Sequence, residues 1–246
     1  MVDLDSEFMS YLAEHACEPG THLPALSELS RELGLSISKL REQLEVARTM
    51  GFVDVRPRLG IQTRAYAFAP GIKTSMRYAL AIDPEIFQQI EDMREHLESG
   101  YWETAVSKLE FADIRKLEGL VSKAWNKLRG TPIQIPHDEH RELHLTIFSR
   151  LGNPFVEGFL EAYWDAYEMI GLAVYTDYRY LEQVWMAHEQ MVEAIAHGDH
   201  DNGHATLVKH FEILQTRPLA TTYGNDDGVV VINGATQTQT TGRSLE

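Results

Sequence analysis

Helical periodicity runs through more than half of this 246-residue chain and constrains its fold more than any other feature. Between residues 82 and 216, apolar side chains recur at spacings of three and four, which places them on one face of a helix. Breaks in the pattern separate helices at about 83–99, 101–108, 112–128, 137–150, 153–176, 180–197 and 201–215. Each helix must bury its apolar face against the others, so the pattern predicts an all-helical bundle.

The first 68 residues follow a different pattern. Helical spacing at about 4–16, 25–33 and 37–50 precedes two short stretches of β-forming residues joined by a turn. Gly34 permits a sharp bend between the second and third helices, and Ser36 is typical of a residue that begins a helix. Three helices and a hairpin predict a winged helix-turn-helix, whose last helix enters the major groove of DNA.

These patterns predict a mainly α fold with two domains. The expected boundaries are 1–68 for the winged helix-turn-helix, 69–80 for a linker, 81–218 for the helical bundle and 219–246 for a tail. The tail is polar and rich in Gly and Thr, so we expect it to be disordered.

Charge is distributed unevenly along the chain. The net charge of −15 excludes a protein that binds nucleic acid over its whole surface. Residues 20–68, however, contain seven Lys or Arg and five Asp or Glu, a net charge of +2, which favours local phosphate binding. The predicted DNA contacts lie at the start of the third helix and in the hairpin turn: Ser36, Ser38, Lys39, Arg41, Arg56, Arg58 and Gly60.

Composition also bears on the cellular compartment. A single cysteine, Cys17, excludes an internal disulfide framework and suits a reducing cytosol. The N-terminus lacks the pattern of a signal peptide, and no apolar stretch approaches the roughly 20 residues that cross a bilayer. We therefore expect a soluble cytoplasmic protein that does not bind a membrane.

Four histidines lie on predicted apolar helix faces. His140 and His144 are four residues apart and share one face, while His188 and His210 lie among apolar residues of two later helices. Burial of four imidazoles is costly without a ligand, and neutral imidazole nitrogens suit zinc, nickel and similar ions. A metal site and a set of hydrogen-bonded core histidines are both compatible with this spacing.

Arg94 lies on an apolar stripe and therefore requires an anion. One candidate is Glu98 or another buried carboxylate of the chain. The other is the carboxylate of a bound small acid, which the planar guanidinium would hold with two hydrogen bonds. In the second case Tyr101 would line the same cavity.

The stretch LPALSELSRELGLSISKLREQLEVARTMGFVDVRPRLGIQT resembles the DNA-binding domain of the GntR family. The family commonly has arginines where this chain has Ser27 and Ile37, which leaves Arg41 as the main matched DNA contact. The helical segment resembles the FCD effector domain of the FadR subfamily of GntR regulators, through an Arg-x-x-Leu-Glu element at 94–98, the 140–144 and 152–154 segments, and the 22-residue spacing of the last two histidines.

The resemblance implies four metal ligands, His140, His144, His188 and His210. His140 stands where the family usually has Asp, and His137 or Asp138 is an alternative ligand from the same segment. A neutral nitrogen in place of an anionic oxygen favours zinc or nickel over manganese. The resemblance also implies an effector carboxylate held by Arg94.

The predicted function is a homodimeric transcription repressor that places two recognition helices on a palindromic operator in double-stranded DNA. A small organic acid, bound near the metal, would control the DNA affinity. The alternatives are a regulator whose metal is structural or is itself the signal, a metal-free domain whose histidines line a pocket, and a metal-dependent hydrolase. We expect no enzyme, because Glu142 turns away from the face of His140 and His144.

Overall fold

The structure, a computed structural model, describes residues 4–15, 18–171 and 177–215. Within these residues the chain is mainly helical, as predicted. The helices are α1 (Glu7–His15), α2 (Leu26–Leu33), α3 (Ile37–Thr49), α4 (Ala69–Ile82), α5 (Phe87–Val106), α6 (Phe111–Leu128), α7 (His137–Phe148), α8 (Pro154–Met169), α9 (Tyr178–His197) and α10 (His200–Gln215), and the strands are β1 (Val53–Arg56) and β2 (Gly60–Thr63). Cys17 and the tail predicted at 219–246 lie outside the described residues.

The N-terminal part is the predicted winged helix-turn-helix. Helices α1 to α3 pack around a core that includes Phe8, Leu29 and Leu40, and the antiparallel β1–β2 hairpin closes it. Gly34 ends α2 in the left-handed conformation with a φ of 66°. The Ser36 hydroxyl then accepts a hydrogen bond from the Lys39 backbone N–H at 3.2 Å and begins α3.

Residues 69–80, which the sequence predicts to be a linker, belong to the 14-residue helix α4. Met76 and Leu80, four residues apart, are buried in the core of the bundle, and α4 packs along α8. Pro70 lies in the first turn, where a missing backbone N–H costs nothing, so it does not break the helix. The domain boundaries stay a prediction.

Two other predicted helix boundaries differ. Helix α5 continues through Gly100 to Val106 instead of ending there, because Trp102 and Ala105 extend its buried face. Helix α8 ends at Met169, seven residues earlier than predicted. No helix in the part of the chain that the structure describes has both the length and the apolar character needed to cross a membrane.

Gly51 lies at the contact between the winged helix and α4. Its φ is +77°, and a Cβ atom at this position would lie 2.5 Å from Cγ of Pro70. We therefore expect Gly51→Ala to combine a left-handed backbone cost of about 1–2 kcal/mol with overpacking of about 1–3 kcal/mol. Thermal unfolding measures the loss. Gly34→Ala, where φ is +66° and no atom lies within 4 Å, is the control for the backbone cost alone; equal losses would contradict the prediction.

Candidate metal centre

Four histidine side chains meet in the core of the helical bundle. They come from three helices: His140 and His144 from α7, His188 from α9 and His210 from α10. Each offers one nitrogen, and these four nitrogens all lie within 4.8 Å of one another. Three of the residues are fully buried, and His140 is 7% exposed. The structure therefore brings together the four residues that the sequence singled out.

Local structure explains this convergence. The four-residue spacing of His140 and His144 places both rings on the inward face of α7, with their centroids 5.2 Å apart. Gly198 follows the last residue of α9, and its φ of 72° allows the chain to reverse into α10. This reversal pairs α9 with α10 and brings the ring centroids of His188 and His210 to 4.3 Å.

Burial favours the neutral form of three of these imidazoles. It lowers the pKa of His140 and His188 well below the ordinary value of 6.5, and the neighbouring histidines and Arg94 lower both further. Burial also lowers the pKa of His144, although Glu98 opposes the shift. A neutral imidazole presents a nitrogen lone pair, which is the form that binds a metal.

A buried ion pair lies beside the histidines. Arg94 Nε donates to Glu98 Oε1 at 2.8 Å, and both side chains are fully buried. Arg94 Nη1 donates to the Tyr163 hydroxyl at 3.0 Å. Although burial by itself would raise the pKa of Glu98, the charge of Arg94 and then His144 lower it to about 2, so the carboxylate is ionised.

The same carboxylate also contacts a candidate ligand. Glu98 Oε2 lies 2.9 Å from His144 Nδ1, while His144 Nε2 lies 3.1 Å from His188 Nε2. Sequence analysis considered Glu98 as a partner of Arg94 but missed its contact with His144. The four-residue spacing of Arg94 and Glu98 signals their ion pair, whereas no local signal reports that α5 and α7 cross at this point.

One buried atom at the centre has no hydrogen-bond partner among the described residues. His140 Nε2 is inaccessible to solvent, and its ring packs edge-on against Trp164 at a centroid distance of 4.7 Å. A buried polar nitrogen without a partner costs about 1–3 kcal/mol. A metal ion held by this nitrogen would remove that cost.

The other residues predicted for this domain lie away from the histidines. His137 Nε2 is 3.0 Å from Glu168 Oε1, and Asp138 is exposed, so His140 is the member of this segment in the cluster. The Tyr101 hydroxyl lies 3.5 Å from Asn153 Nδ2. The role of Arg94 and Tyr101 in effector binding stays a prediction.

The predicted DNA contacts lie on α3 and the hairpin. Lys39 Nζ is bound to Glu7 Oε1 at 2.7 Å, and Gln43 Nε2 donates to the second oxygen of Glu7 at 2.6 Å. The hydrogen bonds from Lys39 and Gln43 lower the pKa of Glu7 to about 2. In the wing, Arg56 pairs with Asp54 at 2.7 Å. Sequence analysis missed both acidic partners.

The remaining residues predicted to contact DNA lie on α3 and in the hairpin, and their role in DNA binding stays a prediction. Ser38 and Arg41 are exposed on the first turns of α3, while Ser36 caps that helix. Arg58 lies in the turn of the hairpin with a φ of 68°, and Gly60 follows with a φ of 81°. This turn is short and basic and projects beyond the sheet.

Comparison with known proteins identifies the helical part. Residues 89–213, just over half of the chain, match the model of the FCD domain family. The chain belongs to the FCD domain family. The FCD match confirms the resemblance predicted for the helical segment, and it spans Arg94, Glu98 and all four histidines.

Among solved structures, the Streptococcus agalactiae GntR is 17% identical, with 85% of this chain and 95% of that chain covered and a TM-score of 0.63. Escherichia coli McbR/YncC is 20% identical, with coverage of 87% and 99% and a TM-score of 0.46. A putative transcriptional regulator GntR from Rhodococcus sp. RHA1 is 13% identical, with coverage of 85% and 95% and a TM-score of 0.44. The first of these shows that the winged helix and FCD domain together form a known fold. No curated protein matches the chain.

Proposed function

We propose that this FCD protein is a cytoplasmic transcription repressor, active as a homodimer on a palindromic operator in double-stranded DNA. A small carboxylate bound near a divalent metal in the FCD domain would control its DNA affinity. The observation that carries the proposal is the presence, in one chain, of a winged helix-turn-helix and a buried centre of four imidazoles. Twofold symmetry of a dimer would match the two half-sites of a palindrome.

The four histidines fit a metal chemically. Their nitrogens lie within 4.8 Å of one another, burial lowers the pKa of His140, His144 and His188, and His140 Nε2 has no other partner among the described residues. Four nitrogen donors suit zinc, with nickel as the second candidate. When bound, the metal supplies a positive charge that attracts the oxygen of an anionic ligand.

Two observations favour a second candidate, in which the metal itself is the signal or is structural. Four protein nitrogens complete the tetrahedral coordination that zinc prefers, which leaves no position for an acid. Arg94 is also already bound to Glu98 and Tyr163, so an effector that reached Arg94 would exchange for Glu98. Release of DNA on addition of zinc without any acid would favour this candidate.

A binding function accounts for the site better than catalysis does. Glu142, the acid between His140 and His144 in sequence, forms an ion pair with Lys116 at the surface. Glu98, which does contact the histidines, is held by Arg94. A general base must be within reach of the proton that it takes, so neither carboxylate is placed to activate water.

DNA binding is tested by fluorescence anisotropy on duplex DNA from upstream of the protein's own gene, with random duplex as the reference. We expect Arg41→Ala to weaken specific binding roughly tenfold, since a base or phosphate contact contributes about 1–3 kcal/mol. Raising the salt concentration should weaken the binding of the unchanged protein because counterions are released. The control is Arg115→Ala, an exposed arginine of the FCD domain paired with Glu118. Equal affinity for the upstream and random duplexes would contradict the proposed function.

A further inference from the structure

We propose that Glu98 is a positioning residue of the metal centre, and that its carboxylate holds the His144 ring so that Nε2 faces the other histidines. The inference rests on the metal-binding part of the proposed function. It assigns to Glu98 a task beyond neutralising Arg94.

The geometry of the His144 ring supports this role. Its Nδ1 lies 2.9 Å from Glu98 Oε2, and its Nε2 lies 3.1 Å from His188 Nε2, so the two nitrogens have different environments. A neutral imidazole carries one hydrogen, and a carboxylate can only accept it. The hydrogen therefore lies on Nδ1, and the lone pair of Nε2 is directed towards the other histidines. A carboxylate behind a ligand histidine fixes the ring and makes it a stronger ligand.

Arg94 makes Glu98 suitable for this task. The guanidinium donates to Glu98 Oε1 at 2.8 Å from the preceding turn of α5, and neither side chain is exposed. A second, longer hydrogen bond from Arg94 Nη2 reaches Glu98 Oε2 at 3.4 Å, and His144 Nδ1 lies closer to the same oxygen, at 2.9 Å. The two hydrogen bonds from Arg94 fix the plane of the carboxylate that faces His144. In a buried ion pair, each partner stays charged because the other is present. Arg94 therefore keeps Glu98 ionised, and Glu98 remains a hydrogen-bond acceptor for His144.

Glu98 also balances the charge of the centre. Arg94 Nη2 lies 3.1 Å from each ring nitrogen of His144. Without the carboxylate, the charge of this cation would not be neutralised and would repel a divalent metal. Loss of Glu98 should therefore weaken metal binding through both orientation and charge.

The experiment measures the affinity of the full-length chain for Zn²⁺ by competition with a chromophoric chelator. Glu98→Gln keeps the shape and an acceptor oxygen but removes the charge, and we expect binding to weaken by about 10- to 100-fold. Glu103→Gln, on the same helix but exposed and in contact with His200, is the matched control and should bind as the unchanged chain does. Circular dichroism verifies that each variant is folded.

The outcomes separate the inference from the proposed function. Zn²⁺ binding by folded Glu98→Gln that is as tight as in the unchanged chain overturns the inference alone. No Zn²⁺ binding by the unchanged chain overturns both the inference and the metal-binding part of the proposed function.

A second measurement reports the position of the hydrogen in the unchanged chain and needs no variant of Glu98. Long-range ¹H–¹⁵N correlation spectra of the ¹⁵N-histidine-labelled, zinc-loaded chain report which nitrogen of each ring carries hydrogen. We expect His144 to carry hydrogen on Nδ1 and to bind zinc through Nε2, with its signals assigned from a His144→Gln spectrum. Hydrogen on Nε2, or zinc on Nδ1, overturns the inference.

Discussion

Replacement of His188 by alanine should remove high-affinity metal binding from the protein. His188 is fully buried, its Nε2 lies 3.1 Å from that of His144, and its ring is the one nearest to His210. Structural zinc sites with four ligands contribute about 10–16 kcal/mol of binding free energy. The loss of one of four ligands should therefore cost at least about 3 kcal/mol, or roughly 100-fold or more in affinity.

Isothermal titration with Zn²⁺ measures this loss directly, and thermal unfolding provides a second measurement. A ligand that binds only the folded state stabilises it by about 4 kcal/mol at 1,000 times its dissociation constant. Zinc should thus raise the melting temperature of the unchanged chain but not that of His188→Ala. His197→Ala is the control, because this histidine is exposed at the end of the same helix, where its Nδ1 lies 2.8 Å from the carbonyl oxygen of Glu193. A zinc-induced shift of equal size in His188→Ala would show that the histidines do not bind the metal.

The positions of the histidines could be predicted from the sequence because each depends on local helix geometry. A spacing of four residues places His140 and His144 on one face, and the apolar neighbours of His188 and His210 show which face is buried. Periodicity does not show which helices contact one another, because that depends on tertiary structure. The resemblance to the FCD domain supplied this information.

Contacts between distant segments could not be predicted in this way. Glu98 and His144 are 46 residues apart, and Glu7 and Lys39 are 32 residues apart. Both pairs form because two helices cross, and the crossing angle depends on side-chain packing that no local pattern records. The length of α4 was underestimated: the sequence predicts a connection with at most a short helix at 69–80, whereas α4 has 14 residues, and Pro70 in its first turn is compatible with a helix.

Mild acid should unfold the metal-free protein. In the folded chain, the pKa values of His140, His144 and His188 are below the ordinary value of 6.5, mainly because of burial. As the pH falls below about 6.5, the unfolded chain takes up protons at these histidines while the folded chain does not. Above pH 6.5, these histidines therefore do not change the free energy of unfolding. Below pH 6.5, each one lowers it by about 1.4 kcal/mol per pH unit for as long as it stays neutral in the folded chain.

The losses from these histidines add together, against a total stability that is typically about 5–15 kcal/mol. Glu98 adds to the loss only at lower pH, because its pKa is lowered from 4.5 to about 2 and its contribution is complete above 4.5. The exposed His96 has a raised pKa, so it acts in the opposite direction, but solvent screening makes its effect small. Between pH 6.5 and 4.5 the buried histidines should therefore dominate the pH dependence.

Urea unfolding in the presence of a chelator at pH 7.5, 6.0 and 5.0 measures this dependence. His140→Leu removes one of the buried imidazoles with a lowered pKa and should reduce the slope of stability against pH below 6.5, whereas the exposed His197→Ala should leave it unchanged. An identical slope in His140→Leu and the unchanged chain would show that His140 titrates equally in both states. Metal binding should depend on pH for the same reason. The neutral imidazoles that resist protonation in the folded state are also the ligands that the metal requires.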